Sequence, residues 1–107
     1  MSYIHKELAD GRWLELTLIE QMANVGSEVI RTFNLKNKNV NYSCASFERA
    51  MELLELTIAD RKNISRLREL TRVKEVLADY FAGDNIYGST DESMENYFLA
   101  FNYAARL

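Results

Sequence analysis

The sequence predicts an all-α protein folded as an antiparallel four-helix up-down bundle, and three observations carry the prediction. There is no Pro and there are only four Gly in 107 residues, so long uninterrupted helices are expected. Apolar residues recur every three to four positions in four successive blocks. No stretch alternates apolar and polar residues with the period of a strand. The expected helices span residues 12–34, 44–60, 65–82 and 90–106, with residues 1–11 an N-terminal arm of a single domain.

The first helix places Leu14, Leu18, Met22, Val25, Val29 and Phe33 on one stripe, widened by Ile19, Ala23, Gly26 and Ile30. So broad an arc suits two neighbours. Gly26 costs about 1 kcal/mol against Ala inside a helix, so a close crossing is expected there, with Ala100 or Ala104 as the facing residue. The polar linker 35–43 ends this helix and offers Asn41 or Ser43 as the next N-cap. The second helix turns Phe47, Ala50, Met51, Leu54 and Ile58 inward and Glu48, Glu52 and Glu55 outward. A short basic turn, Arg61, Lys62 and Asn63, leads to the third helix, which buries Leu67, Leu70, Leu77, Ala78 and Phe81. The fourth is rich in aromatics, with Met94, Tyr97, Phe98, Phe101 and Ala104 on one face.

Between the last two helices lies GDNIYGSTDE, residues 83–92. Gly83 stands where a helix favours a left-handed terminal residue, and Ser89 followed by Glu92 matches a capping box, with Thr90 an alternative cap. Asp91 and Glu92 suit the first turn of a helix. Asp84, Ile86 and Gly88 break the ligand spacing of a calcium loop, and no Lys completes a phosphate cradle. The stretch is read as helix punctuation; Ile86 and Tyr87 are its candidate contact residues.

Other candidate sites each have a plain structural alternative. Lys74 falls among the apolar positions of the third helix, either as a snorkelling or ion-paired lysine or as part of an interior polar cluster with Glu20, Asn24 and Glu28. Arg61, Lys62, Arg66, Arg68 and Arg72 form a basic face opposed by Glu69 alone, either a solvated flank of the acidic second helix or a patch for RNA or a partner. Trp13, Tyr97, Phe98 and Tyr103, with Tyr80, exceed what a thin core readily buries; with Gly26 they are the candidate residues of a self-association surface on helices one and four.

Catalysis has little to work with. His5 is the only histidine, no Glu-x-x-His occurs, and Cys44 is the only cysteine, so no catalytic residue, metal site or cofactor is assigned. A net charge of −3 gives no overall attraction to nucleic acid, and no apolar run is long enough to span a membrane. Lys6, Glu7 and Asp10 occupy the place of a signal sequence's apolar stretch, so a cytoplasmic location is expected.

The stretches WLELTLIEQMANVGSEV, FERAMELLELTIAD and GDNIYGSTDESMENYFLAFNYAA resemble a family of short, uncharacterised prokaryotic helical proteins. That resemblance implies a small bacterial or archaeal protein and transfers no active-site residue. A looser similarity is to HEPN-type four-helix proteins, from whose Arg-x-x-x-x-His motif this sequence departs, since no His follows His5. The functional expectation is a non-catalytic helical interaction module, a homodimer formed through helices one and four; the alternative is an RNA-associated accessory protein using the basic third helix.

Overall fold

Four α-helices carry the chain in the computed structural model, which describes residues 11–107: α1 (Leu18–Leu35), α2 (Val40–Ala59), α3 (Leu67–Ala82) and α4 (Asp91–Ala105). Two short 3₁₀ turns, Trp13–Glu15 and Arg61–Arg66, precede α1 and α3. No strand occurs among the described residues. The expected N-terminal arm, and His5 with it, lies outside them except for Gly11.

Each helix begins where a side chain satisfies its free backbone N–H groups, and this corrects several expected boundaries. Helix α1 starts at Leu18, not residue 12, because Thr17 builds a capping box: its hydroxyl accepts from Glu20 N at 3.2 Å, and the Glu20 carboxylate accepts from Thr17 N at 2.9 Å. Leu16 is extended before it, so Leu14 leaves the apolar stripe and is exposed while Trp13 turns inward. Helix α2 starts at Val40, capped by Asn39 rather than Asn41 or Ser43, with Tyr42 N donating to Asn39 Oδ1 at 3.1 Å. Ser43 is instead buried inside α2, donating to the Thr32 carbonyl at 2.8 Å. The basic turn after α2 is itself a 3₁₀ helix capped by Asp60, so α3 begins at Leu67.

The loop before α4 also resolves differently from the expected pattern. Gly83 sits at φ −108°, ψ −155°, outside the left-handed region, and the loop's left-handed residues are Asn85 at φ 54° and Gly88 at φ 66°. Both Gly83 N and Asn85 N donate to the Asp79 carbonyl. The cap of α4 is Thr90, the alternative of the two expected caps, paired reciprocally with Ser93, so the Ser89 to Glu92 box does not form.

Helix α1 is the centre of the packing, lying along α2 on one side and α4 on the other. The crossing expected at Gly26 is present, but its partner is Phe98, not Ala100 or Ala104. A Cβ added at Gly26 would stand 2.8 Å from Phe98 Cβ. Around this contact lie Met22, Val25, Val29, Phe33, Ala50, Leu53, Leu54, Leu70, Leu77 and Met94, all buried. Helix α3 closes the remaining side through Phe47 stacked on Phe81, with centroids 4.4 Å apart, and Phe33 edge-on to Tyr80 at 5.6 Å. The chain spans 34 × 26 × 26 Å, the long axis matching a helix of about 20 residues at about 1.5 Å per residue.

Candidate functional site

The most connected polar cluster is one that the spacing of charges did not reveal. The buried Gln21 amide donates to the Trp13 carbonyl and to Asp60 Oδ2, both at 2.9 Å, and its oxygen accepts from Asn63 Nδ2 at 2.8 Å. Asn63 also donates to the Thr57 carbonyl, and the Trp13 indole N–H donates to Thr57 Oγ1 at 3.0 Å. Lys62 reaches in to pair with Asp60 and to bond the Leu14 carbonyl. Every buried polar group of the cluster finds a partner, so its chemistry is cohesion: it ties the start of α1 to the end of α2. A readable signal existed in Gln21, which stands among Leu18, Met22 and Val25.

Burial pushes the Asp60 carboxyl up, but hydrogen bonds from Lys62 and Gln21 outweigh it and leave its pKa below the ordinary carboxylate value. A lowered folded-state pKa contributes stability that is present above the unfolded value of about 3.9 and is lost as pH falls through the folded one. Urea midpoints measured between neutrality and acid are therefore expected to drop more steeply below about pH 4 in wild type than in Asp60→Asn. Parallel curves for the two proteins would contradict that assignment.

Of the two readings of Lys74 the ion pair forms, and the alternative interior cluster does not assemble. Lys74 lies on the side of α3 that faces α2, where its ammonium pairs with Glu55 at 3.2 Å and both side chains are about one-third exposed. Glu20 caps α1, Asn24 donates to the Glu20 carbonyl, and Glu28 pairs with Arg49 at 3.0 Å and Arg31 at 3.4 Å. The physical reason is that α1 is flanked by α2 and α4, which leaves Lys74 no route to it. Since exposed pairs contribute about 0–1 kcal/mol, Lys74→Met is expected to change unfolding free energy by less than about 1 kcal/mol in urea titration.

A second polar bridge joins the end of α1 to the start of α4. Lys36 pairs with Asp91 at 2.7 Å, Tyr80 donates to the same carboxylate, and the Lys36 ammonium lies 5.6 Å from the ring centroids of Phe33 and Tyr80. The hydrogen bond to Asp91 raises the pKa of Lys36. Burial lifts Asp91, but its bonds to Lys36 and Tyr80 bring it down overall; Tyr80 is raised, first by burial and then by Asp91. Tyr97 is raised for the same reason, half-buried and donating to Glu69 of α3 at 3.3 Å.

The basic face is partly internally matched. Lys62 and Arg66 pair with Asp60 and Glu69, and Arg72 stacks over the Tyr87 ring at 5.3 Å. Arg61 and Arg68 are exposed. A shallow groove of about 610 Å³ includes Arg68, with Ile64, Leu67, Thr71, Arg72 and Glu75 among its lining. In the loop, Asp79 accepts from Ile86 N and Tyr87 N, which orders the backbone and leaves the Ile86 side chain 81% exposed. Among the described residues no cluster of His, Cys, Asp and Glu is arranged to hold a metal ion, and no helix is long and apolar enough to cross a membrane.

The residues expected at a self-association surface divide in two. Trp13, Gly26 and Phe98 are corrected to core: all three are buried within the chain, because Thr57 receives the indole N–H and the missing Gly26 side chain admits Phe98. Tyr97 is half-buried against α3, whereas Tyr103 is 72% exposed. Two further residues belong with Tyr103. Leu99, one residue on from the buried Phe98, points away from the core and is 48% exposed. Ile19, two turns before Gly26 on the α4 side of α1, is 41% exposed. Leu99 and Tyr103, four residues apart on α4, thus form an aliphatic and aromatic surface that stays exposed among the described residues. Compared with known proteins, the chain matches no family model, no curated sequence and no solved structure.

Proposed function

We propose that the protein is a cytoplasmic, non-catalytic helical module that self-associates as a homodimer through the outer face shared by α1 and α4. The observation that carries this reading is the exposure of Leu99 and Tyr103, four residues apart and so on one side of α4, with Ile19 also exposed on α1. Exposed apolar groups that adjoin one another favour contact with another macromolecule, and tyrosine suits an interface because its ring is buried while its hydroxyl stays solvated or bonded. The reading takes the helices in antiparallel, up-down order. Support comes from Gln21 with Asp60 and Thr32 with Ser43 between α1 and α2, Glu55 with Lys74 between α2 and α3, Glu69 with Tyr97 between α3 and α4, and Lys36 with Asp91 between α1 and α4.

Sedimentation equilibrium across the micromolar range tests it: a concentration-dependent dimer is expected, and Leu99→Glu with Tyr103→Glu is expected to leave a folded monomer. A wild-type chain that stays monomeric throughout would remove the reading.

A second reading, an RNA-associated accessory role, draws on the exposed Arg61 and on Arg68 in the α3 groove. It predicts RNA retained at low salt, released as salt rises and lost on Arg61→Ala with Arg68→Ala. Co-purification with and without nuclease separates the two.

A further inference from the structure

Along α4 the exposed residues Glu92, Asn96, Leu99, Tyr103 and Arg106 are spaced by four, three, four and three residues. That is the 3.5-residue rhythm of a seam that packs lengthwise against a second helix, and it lies on the solvent side of α4, distinct from the buried Met94 and Phe98. Its chemistry is symmetric about one point. Leu99 is central, Glu92 stands seven residues before it and Arg106 seven after, each about 10 Å away at about 1.5 Å per residue. Arg106 keeps helical backbone at φ −89°, ψ −12°, so the register holds to that residue.

Resting on the self-association reading, we propose that the occupant of this seam is the α4 helix of a second copy, packed antiparallel about a two-fold axis at Leu99. In that arrangement Leu99 meets its own counterpart, Glu92 faces Arg106 of the second copy twice over, and the Tyr103 hydroxyl comes opposite the Asn96 carboxamide. A parallel arrangement would set Glu92 against Glu92 and Arg106 against Arg106, juxtaposing like charges at both ends. The charge pattern therefore selects both the partner and its direction: a strand of opposite polarity bearing the same sequence. A helix of 15 residues offers a seam of only about 22 Å, so the dimer is expected to be micromolar, near the low end of specific interfaces.

Charge reversal provides the test. Glu92→Arg and Arg106→Glu are each expected to weaken the dimer about tenfold, since each disrupts two symmetry-related pairs. The double variant is expected to recover wild-type affinity. Rescue discriminates pairing from a helix-dipole effect, because both reversals are unfavourable to the dipole of α4 and their costs would add in the double variant. Leu99→Cys in a Cys44→Ser background supplies an independent readout: mild oxidation is expected to yield a disulfide-linked dimer, with circular dichroism confirming helical content. A dimer that forms normally but neither crosslinks at Leu99 nor responds to charge reversal overturns the α4 pairing while leaving self-association through another face. A double variant weaker than either single one also overturns the pairing. A monomeric wild type overturns both proposals.

Discussion

Gly26→Leu is expected to lower the unfolding free energy by about 2–3 kcal/mol and the thermal midpoint by roughly 10 °C or more. The side chain has no room, since even a Cβ at this site would lie 2.8 Å from Phe98 Cβ and 3.2 Å from the ring. The closest atom decides the outcome. Because it is Phe98 Cβ, fixed to the α4 backbone, rotating or trimming the ring does not relieve the contact; α4 itself must move away from α1. Gly26→Ala gives a sharper test through its sign. In an open helix the change would stabilise by up to about 1 kcal/mol, whereas here the overlap is expected to outweigh the propensity gain. A thermal melt in which Gly26→Ala unfolds at a higher temperature than wild type would show that the two helices are not held this close.

The second large effect is expected at Gln21. Leu has similar volume, so Gln21→Leu leaves little cavity, yet it removes three hydrogen bonds at once. The Trp13 carbonyl loses its side-chain donor, Asp60 keeps Lys62 but loses its interior partner, and Asn63 keeps only the Thr57 carbonyl for its amide N–H groups. Each buried group left short of a partner costs about 1–3 kcal/mol, which puts the total near 3–4 kcal/mol after the gain from burying Leu. Urea unfolding followed by Trp13 fluorescence suits the measurement, because the indole sits inside the cluster and reports its opening. Wild-type stability in Gln21→Leu would mean that the cluster contributes little cohesion.

The two positions differ in how far they could be foreseen. Gly26 announces a close crossing, since glycine inside an apolar stripe is unfavourable without one, but the sequence points to a small alanine as the facing residue. Phe98 fits because the space it fills is the side chain that Gly26 lacks. Gln21 passed unnoticed because a lone polar residue in a broad apolar arc reads as an edge position; what makes it central is Asn63, 42 residues away. The candidate surface was half legible. An excess of aromatics over what a thin core holds points to Tyr103, Trp13 and Phe98 alike; this holds for the exposed Tyr103 and fails for Trp13 and Phe98, which the core encloses. Leu99 was missed, although its place in the four-three spacing from Glu92 to Arg106 could be read directly.

By itself the sequence determined the existence, number and approximate extent of the helices, and the place of the loop between α3 and α4. These depend on residues three or four positions apart and on caps such as Thr17 with Glu20, interactions that the chain makes with its own neighbours. The tertiary structure decided which helix lies against α1, that Lys74 meets Glu55, that Trp13 is enclosed by Thr57, and which side of α4 is left uncovered. Those outcomes follow from steric fit and hydrogen-bond satisfaction between segments far apart in sequence, and no local periodicity encodes which partners meet.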